Sequence, residues 1–455
     1  MELIEILNQI PEYKEFMTIA ELDDSSKKLA EKFDHVDLKE IGKSREGRTI
    51  YCLKIGEGKE NTLLFGFPHP NEPIGSMSLE FLSCFLAENP EFTKETGYTW
   101  YLIKAIDIDG AILNEGWFKG EFNPLKYAKN YYRPAGYEQI EWSFPTKYKK
   151  LEFKTPPSET QALMSLMKKL KPKFMYSLHN SGFGGVYFYV TRGVGNLFTD
   201  LIEFVKKEKL PLHLGEPEAP YIKTLHDAVF ELFGIQETYD FVETNGVEDP
   251  QDILRCGTSS DDYLKRIMGD KSMALVCEMP YFYDEAIDDL SHTEFERRDL
   301  LIKSIDYMKD VYNHSKKIFR SIKKYCKKIT KLYSAVEYLI KTSGMMLEVY
   351  MQDAKTSSMY DGKATVSQAF DSNISSRYYS LLSISMIVRL CQEAFLNHPE
   401  KKTELMKIKT DLEKWIKKRI NELLSQTKFE VIPIQKLVRV QIGSAFITLK
   451  NLSTK

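Results

Sequence analysis

Residues 61–86 read "NTLLFGFPHPNEPIGSMSLEFLSCFL". The apolar run 62–67 follows the turn-like "GEGKEN" (56–61) and has the length of a buried strand. From 76 to 88, Leu79, Leu82 and Leu86 recur at helical spacing. Between them Pro70 and Pro73 preclude a regular helix. His69 and Glu72 therefore sit on a strand-to-helix turn, and Pro68, Pro70 and Pro73 reduce the entropy lost in holding them in one geometry.

Working outward, "TIYCLKIG" (49–56), "WYLIKAIDIDG" (100–110), "FMYSLHNSGFGG" (174–185), "GVYFYVT" (185–191) and "MALVCEMPYF" (273–282) read as further strands. "SETQALMSLMKKL" (158–170) reads as a helix capped by Ser158, and residues 1–35 as exposed helix. Strands alternating with helices predict an α/β fold with a mixed, mainly parallel central sheet flanked by helices. Residues 111–150 read as a long, aromatic, irregular loop, a kind that is usually functional. The texture changes at "DEAIDDLSHTEFERRD" (284–299). Beyond it the pattern is helical to about 425, followed by a short β-like tail at 429–449. We therefore expect an α/β domain over 1–288 and a mostly helical C-terminal region with a short β-like tail over 289–455.

The chain has 455 residues, beyond the usual single-core size, and 43% of them are hydrophobic. Its 63 basic and 65 acidic residues give a net charge of −2, which argues against a nucleic-acid binder. No run approaches the roughly 20 apolar residues of a membrane span. The start, "MELIEILNQIPEYKEF", lacks the pattern of a secretory signal, so a cytoplasmic location is expected. The six cysteines show no CxxC spacing and read as reduced thiols. The stretch 313–331 carries eight Lys or Arg and reads as a solvated basic helix face.

His179 follows "FMYSL", so it too falls near the end of a strand, where open α/β sheets bind their ligands. Two histidines and a glutamate leave zinc a fourth, open position. HxxE alone is short enough to occur by chance, and its weight comes from its company. "GKSREGRTIYCLKIGEGKENTLLFGFPHPNEPIG" (42–75) resembles the opening of the zinc carboxypeptidases of peptidase family M14. The resemblance continues in order through "DIDG" (107–110), "NYYRP" (130–134), "SETQAL" (158–163), "SLHNS" (177–181), "GTSSDDY" (257–263) and "CEMPYF" (277–282).

The resemblance implies one zinc ion per chain held by His69, Glu72 and His179, and Glu278 as general base on the zinc water. It implies that Arg133 grips the substrate's terminal carboxylate and that Asn130 orients the first histidine. It places Ser259, Ser260 and Asp261 in the side-chain pocket. The family's oxyanion-stabilising arginine has no match between Gly110 and Arg133, where Lys119, Lys126, Lys129 or Arg133 itself would supply the charge. Its mobile tyrosine is also unmatched, with Tyr263 and Tyr283 the nearest candidates. The implied activity is release of a C-terminal amino acid from a peptide, with neither a nucleic acid nor a membrane as partner. Two alternatives stay open. "HPNEPIG" also resembles the loop of aspartoacylase and succinylglutamate desuccinylase relatives, which deacylate amino acids. The missing arginine and tyrosine also suit a non-catalytic peptide-binding protein on a peptidase fold.

Overall fold

The computed structural model describes residues 1–453. Its centre is a ten-stranded mixed sheet. In space nine of the strands run in the order Val36–Lys43, Thr49–Ile55, Tyr98–Ile103, Glu60–Phe65, Phe174–Phe183, Met273–Tyr283, Tyr187–Val190, Val229–Glu231 and Thr224–His226, and the tenth, Glu430–Val431, pairs with Met273–Tyr283. The four strands from Tyr98–Ile103 to Met273–Tyr283 run parallel, and the neighbours on either side of them pair antiparallel. Every residue of Phe174–Phe183 is buried, as expected of a parallel strand covered on both faces. The predicted fold class is therefore the observed one.

The decisive stretch folds as its pattern indicates. Glu60–Phe65 is a strand and Ile74–Glu88 a helix buried along most of its length. Phe67 holds the turn with a left-handed φ of 53°, uncommon for a residue with a side chain. The helix lies so close to the sheet that a Cβ on Gly75 would meet Leu178 Cβ at 2.6 Å.

Three local readings are corrected. The loop 111–150 contains the helices Ile108–Asn114 and Pro124–Asn130 and the first strand of the hairpin Thr146–Tyr148 with Leu151–Phe153. Ser158 does not cap its helix: the N-cap is Pro157, and Ser158 Oγ donates to Glu159. The β-like tail is two paired residues, Glu430–Val431, followed by the helix Ile434–Ser453. Its β-branched run packs against the helices Ile74–Glu88 and Leu197–Lys207, and this burial overrides the strand propensity.

The C-terminal region consists mainly of the long helices Arg297–Ile322, Lys331–Thr356, Ser376–Asn397 and Lys402–Leu424. The stretch Val366–Asn397 is long and apolar enough to cross a membrane, by length and composition alone, and 56% of its apolar 18-residue window is buried inside the protein. All six cysteines are free thiols.

Candidate active site

The parallel strands aim their carboxyl ends at one place. His69 lies just beyond Glu60–Phe65, His179 within Phe174–Phe183, and Glu278 directly across from His179 on Met273–Tyr283. Residues paired across a strand point to the same face, so Glu278 and His179 share a side of the sheet. One ligand atom from each of His69, Glu72 and His179 lies within 4.8 Å of the others, and all three residues are buried. Glu278 Oε1 stands 3.6 Å from His179 Nδ1.

The three donors fit a metal ion. His69 Nδ1 is buried without a hydrogen-bond partner. His179 Nε2 lies 2.9 Å from Ser177 Oγ, which donates to Glu141 Oε2 at 3.0 Å. The serine's proton is thus committed to the carboxylate, so His179 Nε2 donates to the serine and Nδ1 is left to ligate. That Nδ1 faces Glu72 Oε2 at 3.0 Å. Glu72 Oε2 also accepts from Asn180 N at 3.2 Å, and Oε1 from Arg133 Nη1 at 3.3 Å.

Burial and the nearby Arg133 and His179 hold His69 well below the usual histidine range, so it is neutral, as a ligand must be. For His179 burial also favours the neutral ring, but Glu141, Glu72 and Glu278 outweigh it and raise the imidazole to about 10, so Nδ1 holds a proton towards Glu72 that a metal ion bound by the three donors would displace. Burial pushes the Glu278 carboxyl well above the carboxylate range, with Glu72 and Glu218 adding to the rise and His179 and Arg133 opposing it.

Beside these groups lies a cavity of about 530 Å³. Its floor carries His69, Glu72, Arg133 and Glu278. Its roof comes from the C-terminal helices through Leu301, Ile305, Tyr350 and Tyr379.

Other expected residues lie elsewhere. Ser259 caps the helix Ser260–Met268, Ser260 donates to Glu141, and Asp261 accepts from Thr191, so none of the three lines the cavity. The helix N-terminus that they form turns inward to hold Glu141. Asn130 donates to Lys126 O inside its own helix rather than orienting His69. Lys119 pairs with Glu21, Lys126 contacts Lys119 O, and Lys129 lines a separate cavity. Tyr263 packs on Phe144, and neither it nor Tyr283 lines the active-site cavity.

Two positioning residues carry a signal in the sequence. Ser177 is two residues before His179 and so faces the same side of its strand. Glu141 is an acid set between Ile140 and Trp142. Tyr379 and Glu218, which also line the cavity, carry no signal in the sequence.

Residues 23–194 match the family model described as zinc carboxypeptidase, peptidase M14. The resemblance read from the motifs is thus shown over that segment. No curated protein matches the chain. Among solved structures, it is similar to carboxypeptidase A from Helicoverpa armigera, at 14% identity and a TM-score of 0.37, covering 58% of this chain and 65% of that one. It is similar to a metallo-carboxypeptidase from Burkholderia cenocepacia, at 14% identity and a TM-score of 0.34, covering 58% and 60%. It is also similar to bovine thrombin-activatable fibrinolysis inhibitor in complex with tick carboxypeptidase inhibitor, at 11% identity and a TM-score of 0.35, covering 75% and 96%. The chain spans less than two thirds of the length of the first two.

Proposed function

We propose that this chain is a zinc-dependent amide hydrolase of the carboxypeptidase type, releasing a C-terminal amino acid from a peptide. The observation that carries the reading is the convergence of His69, Glu72 and His179 beside Glu278, at the floor of a cavity that Arg133 also lines. His69, Glu72 and His179 would hold the ion, one per chain. Zinc supplies Lewis-acid polarisation of a carbonyl and acidifies water. Glu278 takes the proton of the attacking water and returns it to the leaving amine, the two transfers that a carboxylate beside the metal ligands can make. Arg133 presents a guanidinium to the substrate's carboxylate or to the charge that develops on the carbonyl oxygen.

The test is Glu278→Gln. We expect zinc to remain stoichiometric in the variant, by metal analysis, while kcat falls by roughly 10²–10⁴-fold. Full activity in the variant would sink the mechanism. A panel of peptides against N-acyl amino acids separates this reading from a deacylase, and absence of turnover on both, without bound zinc, would favour a non-catalytic binding protein.

A further inference from the structure

Beside the candidate metal centre lies a corner of the cavity that the proposed chemistry does not use. Ser181 is two residues beyond His179 and on the same face of the strand, and Glu278 pairs across to Tyr187 on the other side. Ser181 is 8% exposed, lines the cavity, and its Oγ has no hydrogen-bond partner. His213 also lines it. Its Nε2 lies 2.7 Å from the carbonyl oxygen of Glu216, which only accepts. In the neutral ring the proton is therefore on Nε2, and Nδ1 is an acceptor. That Nδ1 is likewise buried and unpartnered. Gly184 leaves the corner open: a Cβ there would stand 3.6 Å from His213 Nδ1 and 3.7 Å from Ser181 Oγ.

The lining charge is mostly negative, with Arg133 the one lysine or arginine among the lining residues. Five carboxylates line the cavity: Glu72, Glu216, Glu218, Glu278 and Asp371. Arg133 pairs with Glu72, and Arg297 grips Glu216 with two bonds of 2.7 and 2.6 Å. Asp371 accepts from the backbone N of Glu216. Glu218 has no lysine or arginine partner among the described residues. Its carboxylate is instead aimed by two phenols, accepting from Tyr187 OH at 2.5 Å and from Tyr189 OH at 2.8 Å. Tyr187 in turn packs on the His213 ring, with centroids 5.0 Å apart. A corner of acceptors around a preoriented carboxylate suits a ligand group made of donors and carrying positive charge.

We propose that this corner binds a cationic amine of the substrate, with Glu218 as its counter-charge and His213 Nδ1 and Ser181 Oγ as acceptors. The proposal rests on the reading of the cavity as a substrate site. The amine comes either from the free N-terminus of a short peptide or from a basic side chain.

Binding to the full-length protein is tested first, without turnover. n-Butylamine and n-butanol have the same shape and differ in charge. We expect the wild type to bind the amine at least tenfold more tightly than the alcohol, by titration, and Glu218→Gln to lose that preference. Equal binding of the two by the wild type, or an undiminished preference in the variant, overturns the proposal.

Substrate pairs then name the source: Ala-Phe against its N-acetyl form, and N-acetyl-Ala-Lys against N-acetyl-Ala-norleucine. The ratio of kcat/KM, charged over uncharged, is expected to fall at least tenfold in the variant for the pair that carries the recognised amine. Ratios unchanged for both pairs overturn the proposal. If no substrate turns over, the proposed hydrolase function fails, and the amine titration decides the subsite by itself.

Discussion

Glu141 shows how a single buried acid sets up the site without touching substrate. Ser260 holds its Oε1 from N and Oγ, at 3.0 and 2.7 Å, and its Oε2 receives the Ser177 proton. Glu141→Gln keeps the shape and removes the charge behind His179. We expect zinc affinity to fall about 10–100-fold, measured by competition with a chromogenic chelator, and unchanged affinity would refute the relay. Asp107 gives a pH-dependent readout. Burial pushes its carboxyl up to about 7 against the pull of Arg45, with Glu159 adding to the rise. The unfolded value is about 3.9, so its contribution to stability is full below about pH 4 and is lost as pH rises through about 7. Asp107→Asn keeps an acceptor for Gly110 N and escapes that loss. The Tm of the variant minus that of the wild type should become more positive over this window, and a flat difference would refute the assignment.

At the scale of elements, the last helix is tied to the strands that bear the site. Gln441, fully buried, donates to His179 O at 2.9 Å and to Cys277 O at 3.1 Å, and accepts from Tyr176 OH at 2.5 Å. It thus bridges Phe174–Phe183 and Met273–Tyr283 from behind, one residue from Glu278. Gln441→Ala takes the side-chain donor from two buried carbonyls and leaves Tyr176 OH only the carbonyl oxygen of residue 441, and we expect a loss of about 1–3 kcal/mol. The checking measurement is a lowered denaturant midpoint at constant slope, and an unmoved midpoint would show that water replaces the side chain. The motif segments show a related division of labour. Arg45, from "GKSREGR", meets Asp107, Glu138 and Glu159, while Arg48 and Lys331 meet Asp109. The acids of "DIDG" and "SETQAL" therefore join a charge network that locks the turn after Tyr98–Ile103.

For the whole molecule, the helical C-terminal region is part of the cavity. Tyr350, Tyr360 and Tyr379 line it from three different stretches of that region. Tyr379 accepts from Gly182 N, which joins the roof to the strand bearing His179. Asp371 and Ser375 lie in a π-helical segment, Asp371–Ser375, a distortion that often marks functional sites. A roofed cavity of about 530 Å³ suits a short substrate. We expect kcat/KM to be at least tenfold higher for a dipeptide than for the same two residues at the end of an unfolded protein. Equal values would show that the roof opens freely.

Periodicity and punctuation in the sequence suffice for the strands Thr49–Ile55, Glu60–Phe65, Tyr98–Ile103, Phe174–Phe183, Tyr187–Val190 and Met273–Tyr283 and the helices Ile74–Glu88 and Ser158–Leu170, because burial repeats at period 2 or 3.6 or runs unbroken along them. They also place His69 and Glu72 on a Pro-bounded strand-to-helix turn and His179 near a strand end, whereas Glu278 and the grouping of the four come from the resemblance to the zinc carboxypeptidases. The last helix escaped the same reading because its β-branched run is helical only through contacts with elements far away in sequence. Their position in a motif assigns Ser259, Ser260 and Asp261 to the pocket, whereas tertiary packing turns Ser260 onto Glu141 and Asp261 onto Thr191 and leaves Ser259 capping the helix. Only the tertiary structure places Glu218, His213 and Tyr379 in the cavity. Their positions depend on how loops and helices close over the sheet, and contacts between residues so distant along the chain leave no periodic trace in the sequence.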